Sequence, residues 1–355
     1  WMQCRAGVIP AGEVGSPKDR PLIVLTLQEH GNTGTHNYDG IASMWSDDLG
    51  QSWHGPQAQD GLDRRQRDRG PLEVPVDGTP AWHAKTQELL LTGATFWIDP
   101  KLKRDIAGGP SATFYSVYDP KSHTWSRWGK LQMPDQEKFR FSRAGCTQRV
   151  DLPDGDILLP IYFGKHNNGL HATTVVRCKF DGRNLTYVEH GNELSLDSGR
   201  GLYEPSLVRI GDKFLLTMRN DAQGYVSVSD DGLRFTDPKP WTFDDGKPLG
   251  SYNTQQHWLK RGNTLYLFYT RRGAENDDIF RHRAPVFMAE VDPHKMHVLR
   301  KTERVVLPKL QHGFGNFGVC NISANEAWVT AGRRGAIQGE PSVYIARIRW
   351  PETSD

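Results

Sequence analysis

The chain has 355 residues, 37% hydrophobic and 10% aromatic, enough apolar material to bury a large core. Lys plus Arg number 44 against 42 for Asp plus Glu, a formal net charge of +2, so no nucleic-acid partner is expected from bulk electrostatics. No apolar run reaches the roughly 18 residues of a membrane helix, so no membrane span is expected.

Long amphipathic helices are missing from the pattern, whereas Gly (36) and Pro (22) punctuate short apolar runs throughout. That is the signature of an all-β chain. In a first unit, residues 21–27 and 41–45 read as strands, followed by the turn Ser46-Asp47-Asp48-Leu49-Gly50-Gln51-Ser52-Trp53. The basic run Arg64-Arg65-Gln66-Arg67-Asp68-Arg69 reads as a solvated loop. A second unit has strands at 88–92 and 112–118 and a turn from Asp119 to Trp125; a third has strands at 144–150, 157–162 and 173–180. The fourth opens at Arg200, passes Tyr203 and Glu204, turns at Gly211-Asp212 into the run 214–218 and closes it with Arg219. Its third strand ends in Ser229-Asp230-Asp231-Gly232 and Phe235. A fifth unit covers 256–259, 265–269 and 285–291, and a sixth covers 318–322, 327–331 and 342–348.

Units of roughly 55 residues, each too small to bury its own faces, predict a six-bladed β-propeller in which stacked blades build the core. One domain over residues 1–355 is expected, with a seventh blade left open because the N-terminal strand can complete the last sheet. In a propeller, the starts of the inner strands and the ends of the next strands share one rim. That rim is expected to gather His30, His83, Lys165, His166, Tyr203, Glu204, Arg219, Gln255, Gln256, His257, Arg271, Arg272, Arg283 and Arg333. Cys4, Cys146, Cys178 and Cys320 are scattered without metal-ligand spacing and read as buried thiols; neither a metal nor a cofactor is expected.

The turn 46–53 resembles the Asp box of sialidases, a structural hairpin in which Asp48 accepts backbone N–H bonds and Trp53 packs between sheets. Residues 229–235 look like a shortened copy, and 119–125 a decayed one. Tyr203-Glu204-Pro205-Ser206 followed by Arg219-Asn220 resembles the sialidase segment with the Glu that polarises the nucleophile and an Arg that binds the substrate carboxylate. Arg283 resembles a further carboxylate-binding Arg, and Asp39 the acid of the first blade. The resemblance therefore implies a sialidase-type propeller, a divergent one. Val8 stands where the first carboxylate-binding Arg is expected, with only Arg5 nearby. His30 replaces an acidic or Arg residue, and Phe317 falls where the Tyr nucleophile belongs, leaving Tyr252 as the best-placed substitute.

A sialic acid carries a carboxylate at its anomeric carbon, and bidentate Arg suits that group better than Lys. The expected carboxylate and substrate contacts are Arg219, Arg283, Arg272, Tyr203, His83 and Tyr252. Without a Tyr nucleophile, His257 is a candidate base for an attacking water oriented by Gln256, giving inversion, while Asp39, His30 or His36 supplies the proton. His257 and His83 can equally be structural, and Glu204–Arg219 can equally be a stabilising ion pair. The expected activity is exo-acting release of terminal sialic acid from sialylated or acidic glycans. The competing readings are a propeller lyase or hydrolase for uronic-acid glycans and a non-catalytic glycan-binding propeller. A secreted or periplasmic location is expected, with the targeting segment already removed.

Overall fold

The computed structural model describes residues 1–30, 38–66, 70–99, 101, 104–105, 109–165, 169–310, 313–333 and 342–351. It is an all-β, six-bladed propeller. In blade 1 the antiparallel order from the axis outward is Met2–Ile9, Leu22–His30, Tyr38–Ser46 and His54–Ala58. The N-terminal strand is thus the inner strand of its own blade, paired with Leu22–His30, and does not complete the last sheet. That removes the seventh blade. Blade 2 has its inner strand at Leu72–His83, followed by Glu88–Asp99 and Thr113–Asp119.

Blade 3 has an interrupted inner strand, Phe141–Arg143 and then Val150–Asp151, against Ile157–Gly164 and His171–Phe180. Blade 4 runs Tyr203–Ile210, Lys213–Arg219, Gly224–Ser229 and Lys239–Pro240. Blade 5 is built on His257–Arg261, Thr264–Tyr269 and Val286–Asp292, and blade 6 on Gly318–Ser323, Glu326–Gly332 and Val343–Arg349.

No blade owns a core. The buried clusters lie between neighbours: Ile9 and Val24 with Leu89 and Phe114 between blades 1 and 2, Leu90 with Ile157 and Val176 between 2 and 3, Leu158 and Val175 with Leu216 between 3 and 4. Val208, Leu215 and Trp241 meet Trp258 and Leu267 between 4 and 5, Phe268 meets Phe317 and Val329 between 5 and 6, and Trp328 meets Ile23 and Leu25 where 6 returns to 1. A middle strand is therefore covered on both faces, which is why its sequence is a continuous apolar run and not an alternating one.

The turns after the third strands hold their Asp residues as the sequence suggests. Asp48 accepts the Ser52 N–H at 2.9 Å and the Ser46 and Ser52 hydroxyls at 2.8 and 2.5 Å, while Trp53 meets Trp328 of blade 6 at 6.1 Å. In blade 4, Asp231 accepts the N–H groups of Leu233 and Arg234 at 2.8 and 2.7 Å. These turns sit at the end of the propeller opposite the inner-strand starts, so they stiffen the fold without touching the rim.

Trp241 shows how much one inter-blade side chain carries. It is 1% exposed, donates its indole N–H to the Thr217 hydroxyl at 2.9 Å and packs edge-on against Trp258 at 5.7 Å. Trp241→Ala should lower unfolding free energy by about 3–5 kcal/mol, the usual loss for a buried Trp, read from urea denaturation.

Candidate functional site

The rim is defined by register: Tyr203 pairs with Arg219, Phe141 with Gly164, and Gly318 with Thr330, each an inner-strand start beside a second-strand end. Just inside it the backbone repeats one irregularity. The ladder slips between Met2 and Arg5, Val76 and Thr79, and Tyr203 and Ser206. The first residue of each two-residue bulge is left-handed: Gln3 at φ 58°, Asp77 at 56° and Glu204 at 45°. Cys146, at φ 58°, lies in the interruption of blade 3's inner strand. Such bulges aim side chains away from the regular pleat. Here they bring a carboxylate from blade 2, a thiol from blade 3 and a carboxylate from blade 4 into electrostatic contact at the axis.

Glu204 and Arg219 form a buried ion pair at 2.5 Å, with side chains 11% and 3% exposed. The second terminal nitrogen of Arg219 donates to Asn253 Oδ1 at 2.5 Å, and no partner takes its Nε–H among the described residues. Behind this pair stands a second layer. Arg200 is bound to Asp221 at 2.7 Å and donates to the Tyr203 hydroxyl at 2.6 Å, and that hydroxyl donates to Asp221 at 2.7 Å. Arg200 and Arg219 lie over the Tyr203 ring at 4.7 and 4.8 Å from its centroid. Arg283, buried at the start of blade 5's third strand, adds its charge to Glu204.

On the other side of the axis, Arg5 is 1% exposed and donates to Cys146 Sγ at 2.9 Å, and Asn316 of blade 6 donates to the same sulfur at 3.1 Å. The Cys146 thiol is hydrogen-bonded to Asp77, whose Oδ1 has no further partner among the described residues. Below them Gln148 spans the channel. It donates from Nε2 to the Trp258 carbonyl at 2.9 Å and accepts the Trp258 N–H at 2.6 Å. The site is therefore a cup with a closed floor. Tyr162, from the second strand of blade 3, stands in its wall 6.2 Å from the Tyr203 ring, and its hydroxyl makes no hydrogen bond among the described residues.

The two axial carboxyls are driven apart in acidity. Burial pushes Asp77 upward, and the charge of Glu204 pushes the same way against the pull of Arg5. Glu204 is also penalised by burial, but Arg219, then Arg283 and Arg200, outweigh this and hold it below its ordinary value. The two carboxyls are thus pushed in opposite directions, the kind of asymmetry an acid–base pair needs.

Several sequence expectations land elsewhere. His83 ends the inner strand of blade 2 opposite Glu88, at the far end of the propeller from the rim. It is fully buried there between Thr86 and the Gly155 carbonyl. His257 is 1% exposed, its Nε2–H donating to the Phe317 carbonyl at 3.1 Å and its Nδ1 accepting from Ser206 at 3.0 Å, so neither nitrogen is left for a water. Gln256 is buried between blades, held by Thr217 at 3.1 Å and the Thr254 carbonyl at 2.8 Å. Phe317 packs edge-on against His257 at 5.3 Å.

Asp39 lies on the outer part of the rim, half exposed and paired with Arg64 at 3.0 Å. The side chain of His30, and all of His36 and His166, lie outside the described residues. Tyr252 and Arg272 stack on each other at 3.8 Å on the lip of blade 5, while Arg271 is tied to Glu303 at 2.7 Å. Val8 pairs with Ile23 deep in blade 1; the buried cation that this strand sends to the axis is Arg5. Asp77, Arg200 and Asp221 escaped the sequence reading. The signal for Asp77 was Asp-Gly inside an apolar run, which marks a bulge as well as a turn.

No protein-family model matches the sequence, and neither does any curated protein sequence. Solved structures do match. A protein of unknown function from Dyadobacter fermentans superposes with a TM-score of 0.64 at 15% identity, covering 97% of this chain and 93% of that one. The Hadza microbial sialidase Hz136 gives 0.64 at 12% identity over 97% of this chain, and the Trypanosoma rangeli sialidase 0.63 at 12% over 98%. This chain spans 65% and 55% of those two sialidases. The fold is sialidase-like.

His257 and His171 set a pH test. Burial holds their pKa values at about 3 and about 4, from 6.5. Both rings are neutral in the fold and take up protons on unfolding, so their contribution is complete above pH 6.5 and is lost as the pH falls towards 4 and then 3. Urea midpoints should drop over this range by the equivalent of a few kcal/mol, and His257→Gln, which can keep both hydrogen bonds, should flatten the slope.

Proposed function

We propose that this propeller is an exo-acting, sialidase-type glycoside hydrolase that releases a terminal acidic sugar, sialic acid first among candidates, from glycans. The observation that carries the reading is the closed cup itself. A buried Glu204–Arg219 pair, joined by Arg283 and Arg200, faces an Asp77 whose environment favours the protonated form. Guanidiniums outnumber carboxylates around it, which suits a substrate that brings its own carboxylate. Gln148, bridging blades 3 and 5 beneath the cup, favours a sugar end over a through-running chain.

In this reading Arg219 and Arg283 grip the substrate carboxylate, and Asp77 gives its proton to the leaving glycosidic oxygen. Glu204, held ionised, is the base. It takes over the role the sequence suggested for His257. The group it activates is either a water or the Tyr162 phenol, and the stereochemistry separates them. Direct attack by water inverts the anomeric carbon; attack by Tyr162 followed by hydrolysis retains it.

Screening sialylated and uronate-containing glycans with mass detection tests the assignment. Free sialic acid is expected, whereas an unsaturated uronate product would replace the hydrolase reading with a lyase. NMR of the first-formed sugar should show the β-anomer for water attack and the α-anomer for Tyr162. Arg219→Ala should cut kcat/KM about a hundredfold or more, the effect of losing about 3 kcal/mol of transition-state charge contact. Asp77→Asn should lose about 10²–10⁴-fold on natural glycosides, spare aryl glycosides that leave without a proton, and remove the alkaline limb of the pH–rate profile.

A further inference from the structure

The lip of blade 5 carries cations that the carboxylate grip does not use. Between Asn276 and the third strand the chain makes a short turn, Phe280–His282, in which Arg281 and His282 are both left-handed, at φ 54° and 50°. Two consecutive side-chain-bearing residues in that region are strained, and such strain persists only where the surrounding structure holds it. The guanidinium of Arg281 lies over the Phe280 ring at 5.0 Å from its centroid, half-buried, and the charges of Arg219 and Arg200 oppose its own.

Among the described residues no carboxylate pairs with Arg281. The acids of its own loop are engaged outward: Asp278 takes Lys309 at 2.6 Å, and Asp277 lies 3.6 Å from His282. The ring of His282 meets Tyr252 edge-on at 5.4 Å, and the other contact of Tyr252 is the flat-lying guanidinium of Arg272 at 3.8 Å. Arg272 and Arg281 thus border one lip, bracketed by Tyr252 and by Phe280, which is 49% exposed. A half-buried cation with other cations around it and no carboxylate beside it favours an added anion. The substrate carboxylate is already matched by Arg219 and Arg283, so a different anion is required.

We infer that Arg281 and Arg272 form a second anion subsite, which binds an acidic group on the sugar next to the terminal one, so that glycans with consecutive acidic sugars are the preferred substrates. This inference rests on the reading of the cup as the site of a terminal acidic sugar. It adds a specificity that the cup does not supply, because the cup holds a single sugar end.

The test compares α2,8-linked disialic acid with 3′-sialyllactose, whose second sugar is neutral, on the wild-type chain and on Arg281→Gln, Arg281→Lys and Arg272→Gln. The wild type should favour the diacid about tenfold in kcat/KM, the scale of one charge-assisted contact. Arg281→Gln should abolish most of that preference, Arg281→Lys should keep part of it, and Arg272→Gln should reduce it. Equal rates on both probes in the wild type, or an Arg281→Gln variant that loses both alike, would overturn the subsite. If neither probe is cleaved, calorimetric binding of the same pair decides. Equal affinity sinks the subsite alone; no binding of either sinks the acidic-sugar reading and the subsite together.

Discussion

Left-handed backbone at one depth of the inner strands is the constraint on which the rest of the site depends. Gln3, Asp77 and Glu204 each begin a two-residue bulge, and Cys146 takes the same conformation where blade 3's inner strand breaks. Glycine usually fills such positions because a side chain there costs about 1–2 kcal/mol. Of the polar residues that stand there instead, Asp77, Cys146 and Glu204 meet electrostatically near the axis. The ladder hydrogen bonds given up at the slips are part of the cost of collecting polar groups from separate blades at one point.

Burying charge at that point is tolerable only because each group has a counterpart. Glu204 has Arg219 at 2.5 Å, Asp221 has Arg200 at 2.7 Å, and Arg5 is set against Cys146 and the nearby Asp77 and Glu204. Removing one member of such a pair strands the other in a medium that solvates it poorly. The arrangement is consequently rigid, and it leaves the buried Arg219 Nε–H without a partner among the described residues. The second layer, Arg200–Asp221–Tyr203, fixes the aromatic face on which Arg219 rests.

How much of this could be read from the sequence follows from where each residue is buried. The all-β class and six units were legible because middle strands, covered on both faces, spell out continuous apolar runs. Tyr203, Glu204 and Arg219 were legible because antiparallel register puts a strand start beside the next strand's end. Inner strands were harder. Leu72–His83 contains Pro75, Asp77 and Gly78, which reads as an interruption, so Asp77 passed unnoticed and His83 was assigned to the wrong end. His257 begins a channel-lining strand, yet its ring is sealed between Ser206 of blade 4 and Phe317 beside blade 6. Only the packing of Phe317 and Ser206 around it reveals that.

Gln148 has one more consequence. Because its amide bridges blade 3 to the Trp258 backbone beneath the cup, the propeller is not a tunnel. Whatever goes in must back out by the same doorway. On the proposed function, an occupant held by the guanidiniums would block the next arrival, and the rate of its release would limit how fast the cup refills.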